Sequence, residues 1–368
     1  MRIGITGSVG FLGANLLKTL YRHRSAGDQI VCFYSHRRTN PLTRELDLTY
    51  RHLDITSREE VLEKTRNLDL LFHMAGAVDY SRKNARRTWD VNVLGTKNIF
   101  EGVMQNRIRR LVYASSINVL GPVGRDCAPE VETKRIYGTP GNPVSFGDRA
   151  EALAAVEASI KGDYRFLRRS RVVYFDSKLA AYELAREYHR KHELPVIPVL
   201  PGTAVGAGDI GLSITRLVMG TFRGKLRLTL PGGTSFVSAV DAAEGIRLAS
   251  VQGRPGETYI ITGGPQDNLS YRDFMKLVAE VARSRYEQRV SDRFFTVPAS
   301  LCSPLATIFR LLPVEGALSE ALIRSGAITH RFSSSRAAEQ LGYRPRTSLE
   351  KAIRSCLDFY FQHIQGTP

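Results

Sequence analysis

RIGITGSVGFLG, residues 2–13, decides the fold. A short apolar run, RIGIT, reads as a strand, and FLGANLLKTLYRH at 11–23 reads as a helix. Between them Gly7, Gly10 and Gly13 stand in the spacing TGxxGxxG. Glycines there permit a tight turn, close approach of backbone to a pyrophosphate, and close helix–strand packing. The helix N-terminus adds free N–H groups and the positive end of the helix dipole. A glycine triplet alone is a weak signal; in strand–turn–helix context it points to a dinucleotide-binding unit rather than a structural turn.

The pattern continues outward. QIVCFY (29–34), LDLLFH (68–73), RRLVYASS (109–116) and PVIPVL (195–200) read as strands. REEVLEKTR (58–66), TWDVNVLGTKNIFEGVMQ (88–105) and LAAYELAREYHRK (179–191) read as helices between them. Strands alternating with helices predict right-handed βαβ units and a parallel sheet covered on both faces, a Rossmann-type doubly wound α/β fold. After Pro201 glycine clusters appear and the rhythm becomes irregular. This divides the chain into a nucleotide-binding domain, 1–200, and a smaller α/β substrate domain, 201–368. Residues 234–262, with TYIITG (258–263), are expected to return to the first. The stretch 121–170, with a helix at DRAEALAAVEASIK, is an unusually long connection, and such connections are commonly functional. It is read as a lid or substrate wall.

The end of the second strand carries a specificity signal. In dinucleotide folds an acidic residue there holds the adenosine ribose hydroxyls. Here the strand runs into Ser35, His36, Arg37 and Arg38. A carboxylate would repel a 2′-phosphate, whereas a guanidinium grips one with two bonds. The expectation is NADP(H) over NAD(H).

The chain resembles the extended short-chain dehydrogenases/reductases, the epimerase/dehydratase type. The resemblance spans nearly the whole chain: TGSVGFLG (6–13), HLDIT (52–56), FHMAG (72–76), NVLGTKN (92–98), YASSINVLG (113–121), YFDSK (174–178), LPGTAVGAGD (200–209), FVSAVDAAEGI (236–246) and LGYRPRTSLEKAI (341–353). It implies a cofactor site formed by Gly7, Ser8, Gly10, Phe11, Leu12 and Gly13, with Asp54 and Ile55 beside the adenine. Ala75, Gly76, Asn92, Ser115, Lys178, Pro201, Thr203 and Val205 would line the rest. It implies a Ser116/Tyr174/Lys178 catalytic group and a homodimer, with the helix after Tyr174 packing on its mate.

Elementary chemistry supports the same three residues. Hydride transfer to a carbonyl needs a proton donor for the developing alkoxide. Tyrosine titrates near ~10 and exchanges protons poorly at neutral pH. A lysine one helical turn on lies on the same face, and its charge lowers that pKa. A serine hydroxyl can hold the substrate oxygen. Four tyrosines between 164 and 192 are each followed four positions later by a basic residue. Tyr164 precedes the helix. Tyr182 and Tyr188 lie further down it, where Ala181, Leu184, Ala185 and Tyr188 make a packing stripe. Tyr174 alone stands at the helix start with Ser-Lys after it.

Departures from the family's sugar-nucleotide branch are visible. Leu200 stands where an arginine is common, and Ser238 where a histidine is common. The closer resemblance is to the dihydroflavonol reductase and 3β-hydroxysteroid dehydrogenase-like branch. It implies an oxidoreductase acting on a ketone or secondary alcohol. The alternatives are a nucleotide-sugar epimerase or dehydratase with tightly held cofactor, for which Arg216, Arg223, Lys225 and Arg227 could hold the diphosphate, and a non-catalytic dinucleotide sensor. The net charge of +16 is spread along the chain, as in a basic enzyme with a small-molecule substrate rather than a nucleic-acid binder. Cys32, Cys127, Cys302 and Cys356 are far apart, which speaks for a reducing, cytoplasmic location and against a metal site. MRIGITGSVG is not a signal peptide. The apolar stretch 296–313 carries three prolines and Arg310. It reads first as core-facing or cleft-lining, with membrane-surface docking the lesser reading.

Overall fold

The computed structural model describes residues 1–37, 39–123, 143–311 and 319–364. Seven strands form one parallel sheet: β1 (Arg2–Thr6), β2 (Gln29–Tyr34), β3 (Thr49–His52), β4 (Leu70–His73), β5 (Arg110–Ala114), β6 (Val196–Pro201) and β7 (Tyr259–Ile261). Their order is β7-β6-β5-β4-β1-β2-β3. β1 lies between β2 and β4, with Ile3 opposite both Ile30 and Leu70. The chain therefore reverses its direction of travel across the sheet at β1, and open α/β sheets bind ligands outside the carboxyl ends of strands at such a point.

Every predicted strand and helix forms, with differences that have physical causes. β3, TYRH, escapes the pattern because it is a largely exposed edge strand with no apolar run. β4 starts at Leu70 because the Asp69 carboxylate turns back to accept the Arg2 N–H at 2.8 Å. The helix expected over 88–105 is one helical run from Ala85 to Gln105, but residues Asp90–Gly95 widen into a π-helical turn. The helix of the four tyrosines starts earlier than its apolar stripe, at Val173, and runs to His192.

Two apolar layers cover the sheet. On one side Val31, Leu53, Ile55, Trp89, Phe100, Ala181 and Leu184 form a continuous core, into which the inserted helix Arg149–Ile160 adds Ala155 and Val156. Asp148 caps that helix by accepting the Glu151 N–H. The expected packing stripe of Ala181, Leu184, Ala185 and Tyr188 thus packs within the chain. On the other side Ile3, Ile5, Leu16 and Leu17 pack with Ala243, Ile246 and Ala249, and with Ala337, Leu341 and Tyr343. TYIITG joins the main sheet through β7, whose Tyr259–Ile261 pairs with Val199–Pro201.

The remaining chain builds a separate core over the carboxyl ends of the strands. Val205, Val218, Phe236, Phe274, Val278, Ile353 and Leu357 fill it. A small sheet crosses it: Gly233–Ser238 pairs with Thr203–Val205, Asn268–Ser270 and Thr329–His330. Ser238, where a histidine was the family's habit, caps the helix Ala239–Gln252 by accepting the Asp241 N–H at 3.0 Å.

Candidate active site

The glycine cradle has the geometry its spacing predicts. Gly7 has φ +63°, the left-handed region that glycine favours, and a Cβ there would lie 2.7 Å from the Ala75 backbone. A Cβ on Gly13 would meet the Gly7 carbonyl oxygen at 2.0 Å. The turn closes with Gly10 N–H donating to Gly7 O at 3.0 Å. Helix Phe11–His23 begins after Gly10 with no side-chain cap and no acidic residue in its first turn. Its leading N–H groups are the orphan donors a phosphate takes. These residues fit a dinucleotide.

Ser8 is used differently from the expectation. Its side chain donates to Phe33 O at 3.0 Å and its N–H reaches the same oxygen, so it latches the loop to β2. Two residues that the sequence reading missed close the cradle from the far side. Asn15 donates to Ala207 O at 2.9 Å, and Asn40 donates to Val9 O and Gly208 O, both at 3.0 Å. A lone asparagine, even within an apolar helix such as FLGANLLK, carries no spacing signal.

At the end of β2, Ser35, His36 and Arg37 are exposed; Arg38 lies outside the described residues. Arg87, from the adjacent helix, was missed: its guanidinium donates to His36 Nε2 at 2.9 Å. Asp54 is exposed and accepts both the Thr56 N–H and its hydroxyl. Ile55 is buried against Gly95, and Asn98 holds its carbonyl at 3.0 Å.

The proposed catalytic residues converge at the ends of β4 and β5. Gly76, Asn92 and Lys178 face one space: a Cβ on Gly76 would stand 3.2 Å from both Asn92 Oδ1 and Lys178 Nζ. Asn92 sits in the π turn, a distortion that recurs at functional sites. Its Oδ1 accepts the Ala77 N–H at 2.8 Å, and its Nδ2 donates to Ser177 Oγ at 2.9 Å, which ties it to the tyrosine helix. Lys178 donates to Ala114 O at 3.2 Å, and burial brings its pKa down to about 8. Tyr174 is buried near the helix start; burial pushes its hydroxyl up to about 12, a rise that the neighbouring Ser116 partly offsets. Ser116 Oγ accepts the Asn118 N–H at 3.2 Å, which leaves its hydroxyl hydrogen to point elsewhere. Ser115 is buried beside it. Pro201 and Val205 are also buried, Val205 with its side chain in the second core, and Thr203 meets Thr234 at 3.1 Å. These three do not join the Tyr174 cluster through their side chains.

A chain of hydrogen bonds runs behind the site. Ala75 N–H donates to Thr6 Oγ1, and Thr6 Oγ1 meets His73 Nδ1 at 2.8 Å. His73 Nε2 meets Thr96 Oγ1 at 3.0 Å, and Thr96 donates to Asn92 O at 2.7 Å. Because Thr96 gives its proton to Asn92, His73 must donate from Nε2 and accept at Nδ1. Burial, helped by the Lys178 charge, lowers His73 to about 3, so it stays neutral.

Around Tyr174 the wall is apolar and aromatic. Val172, Phe175, Ala321 and Ile328 are buried with it, and Tyr80 and Val144 pack on the same cluster. The Tyr80 and Tyr174 rings lie 5.4 Å apart. Val144 and Ser145 belong to the described part of the long connection, while 124–142, including Cys127, lie outside the described residues. Asp176, two residues after Tyr174, is buried and accepts from Ser145 N at 2.7 Å and Ser170 Oγ at 2.5 Å, pinning both ends of that part to the helix. Burial raises its carboxyl to about 6. The other tyrosines are held structurally: Tyr164 to Asp90, Tyr182 to Thr258, and Tyr188 at 3.5 Å from Glu101. Arg216, Arg223, Lys225 and Arg227 are all exposed. Among the described residues no cluster of His, Cys, Asp and Glu could hold a metal ion.

Residues 3–262 match a known family. The chain belongs to the NAD dependent epimerase/dehydratase family. It is an enzyme, and its cofactor class is a nicotinamide dinucleotide. Epimerase/dehydratase relatives align along its length. The 3beta-hydroxysteroid-dehydrogenase/decarboxylase isoform 1 of Arabidopsis thaliana is 24% identical over 98% of this chain and 80% of that protein. Sterol demethylase protein B of Methylococcus capsulatus is 23% identical over 97% of each. The crystal structure of a DesIV double mutant, a dTDP-glucose 4,6-dehydratase from Streptomyces venezuelae with NAD and DAU bound, superposes with a TM-score of 0.71 at 19% identity, covering 99% of this chain and 98% of that one. At that identity the likeness concerns the fold.

Proposed function

We propose that the protein is an NADP(H)-dependent oxidoreductase that interconverts a ketone and a secondary alcohol on an apolar small molecule, of the sterol size its relatives' names suggest. The observation that carries this reading is the setting of Tyr174: beside Ser116, one turn before Lys178, and packed with Tyr80, Val144, Phe175, Ala321 and Ile328. A sugar diphosphate would call for cations beside Tyr174; the cluster that packs on it is hydrocarbon and aromatic ring, with the His330 ring 6.0 Å from Phe175. The exposed Arg37 supports the 2′-phosphate preference.

The bound nicotinamide would supply or accept the hydride. The chain's residues do the rest. Ser116 holds the substrate oxygen. Tyr174 gives that oxygen its proton in reduction and takes it back in oxidation. The Lys178 ammonium favours the tyrosinate that proton transfer leaves. Asn92 fixes the helix carrying both through Ser177, and the aromatic wall excludes water, which strengthens each of these interactions.

The test is turnover of a panel of 3-ketosteroids and aliphatic ketones with NADPH and with NADH. Tyr174→Phe should lower kcat/KM by roughly 10²–10⁴ at unchanged NADPH affinity. A Phe variant with full activity would overturn the assignment. Tightly bound nicotinamide that does not exchange with added NADPH, with turnover of sugar nucleotides only, would favour an epimerase or dehydratase. NADPH binding without turnover of any carbonyl would favour a sensor.

A further inference from the structure

Large apolar side chains are not spread evenly over this surface. Leu228 is 66% exposed and Phe295 65%, and the two are partners in a two-stranded parallel ladder. The helix Ala299–Leu311 follows directly and leaves Leu301 49% and Ile308 52% exposed, one face seven residues apart. The opposite face of that helix, Cys302 and Ala306, packs on Ile323 of the helix Glu320–Gly326, whose Leu322 is itself 38% exposed. Exposed apolar groups clustered on packed neighbouring elements mark an interaction surface.

The rim of this face is basic. Arg223, Lys225 and Arg227 are exposed on the segment leading into Leu228, and Arg289 and Arg293 on the segment leading into Phe295. Asp292, the acid among them, is paired with Arg283 at 3.4 Å. No charged residue stands between Arg293 and Arg310. No helix among the described residues is long and apolar enough to cross a membrane. An uncharged apolar face whose two leading segments carry exposed cations has the chemistry of a segment that lies in the headgroup layer of an anionic bilayer.

We propose that Leu228, Phe295, Leu301 and Ile308 form a docking face for an anionic lipid surface. The same small helix that supports this face also reaches the active site. Ala321 packs with Tyr174 and Phe175, while Ile323 packs under the exposed helix. Its Glu320 is buried and clasped by Arg324 at 2.9 Å and Arg82 at 3.3 Å, which holds it in place beside Tyr80. One helix thus packs on both the docking face and the Tyr174 cluster. The apolar ketone proposed above, on which this route rests, would enter from lipid rather than from water.

The experiment is cosedimentation of the full chain with sonicated vesicles of phosphatidylcholine alone and of an equal mixture of phosphatidylcholine and phosphatidylglycerol. No turnover is measured, so its outcome is independent of the assigned activity. The wild-type protein should pellet with the mixture and bind phosphatidylcholine at least about tenfold more weakly, with the difference shrinking in high salt. The Leu301→Glu/Ile308→Glu variant, altered at exposed positions, should lose at least about tenfold in binding to the mixture while its far-UV circular dichroism is unchanged. Wild-type protein that stays in the supernatant with both vesicles would overturn the proposal, as would a variant that pellets like wild type. A wild-type dimer in light scattering that this variant splits, without vesicle binding, would assign the face to a second copy instead and also overturn it.

Discussion

Lys178 is a charge held out of water. Its folded-state pKa of about 8 lies below the ordinary lysine value. The unfolded chain then holds the proton more tightly, and stability rises with pH between about 8 and 10.5 on this account. Lys178→Met should flatten that slope in urea unfolding at several pH values, yet cost at least about 10² in kcat, since a tyrosinate at Tyr174 then has no cation beside it. Asp176 works in the opposite sense. Its carboxyl, raised to about 6, binds a proton in the folded chain that the unfolded chain has released, so stability is lost as pH rises from about 4 through 6. Relative to wild type, Asp176→Asn should gain up to about 3 kcal/mol in stability between pH 4 and pH 7, read by chemical denaturation at each pH. A flat difference would show that Asp176 is not the buried acid described here. Tyr174 and Lys178 were legible in the sequence because their roles demand one residue type at one spacing. Asp176, His73 and Asn15 were not, because a buried polar group announces itself only through its partners, which lie far away along the chain.

The helical run Ala85–Gln105 shows what the alternation of strands and helices does and does not carry. Its existence was readable from apolar spacing, but its π turn was not, since an extra residue per turn leaves no mark in composition. β3 was missed for a different reason: an exposed edge strand is stabilised by its backbone ladder to Val31–Tyr34 and not by side chains. The described part of the long connection behaves as a packed element. Trp89 is fully buried with Phe166 and Phe146 at ring distances of 4.6 and 6.2 Å, so the connection shares the core of the tyrosine helix. Trp89→Ala should cost roughly 3–5 kcal/mol in equilibrium unfolding. It should also expose Arg149–Ile160 to limited proteolysis before the rest of the chain. Loss of stability without early cleavage there would mean that the helix is held by other contacts, such as Arg149 with Glu183 and Glu187.

At the scale of the molecule, the apolar layer beneath β1 is closed by the other end of the chain. Ala337, Leu341 and Tyr343 pack with Ile3 and Ile5, and Tyr343 fixes Thr262 O at 2.9 Å. A chain ended before Ser335 should lose NADPH binding together with its cooperative unfolding transition, measured by fluorescence titration and circular dichroism. Retained binding would show that the sheet and its cradle hold without Ala337, Leu341 and Tyr343. The same wrap governs the order in which the molecule can be made. The cradle leaves the ribosome well before its latches at Ala207 and Gly208, which follow Asn15 and Asn40 by 192 and 168 residues, and the floor under its strand emerges later still. At synthesis rates of roughly 5–20 residues per second, the glycine loop waits on the order of ten seconds or more for its partners. Through that interval the apolar strands β1 and β2 stand half covered in the nascent chain. The dinucleotide cradle can therefore close only after Gly208 has been made.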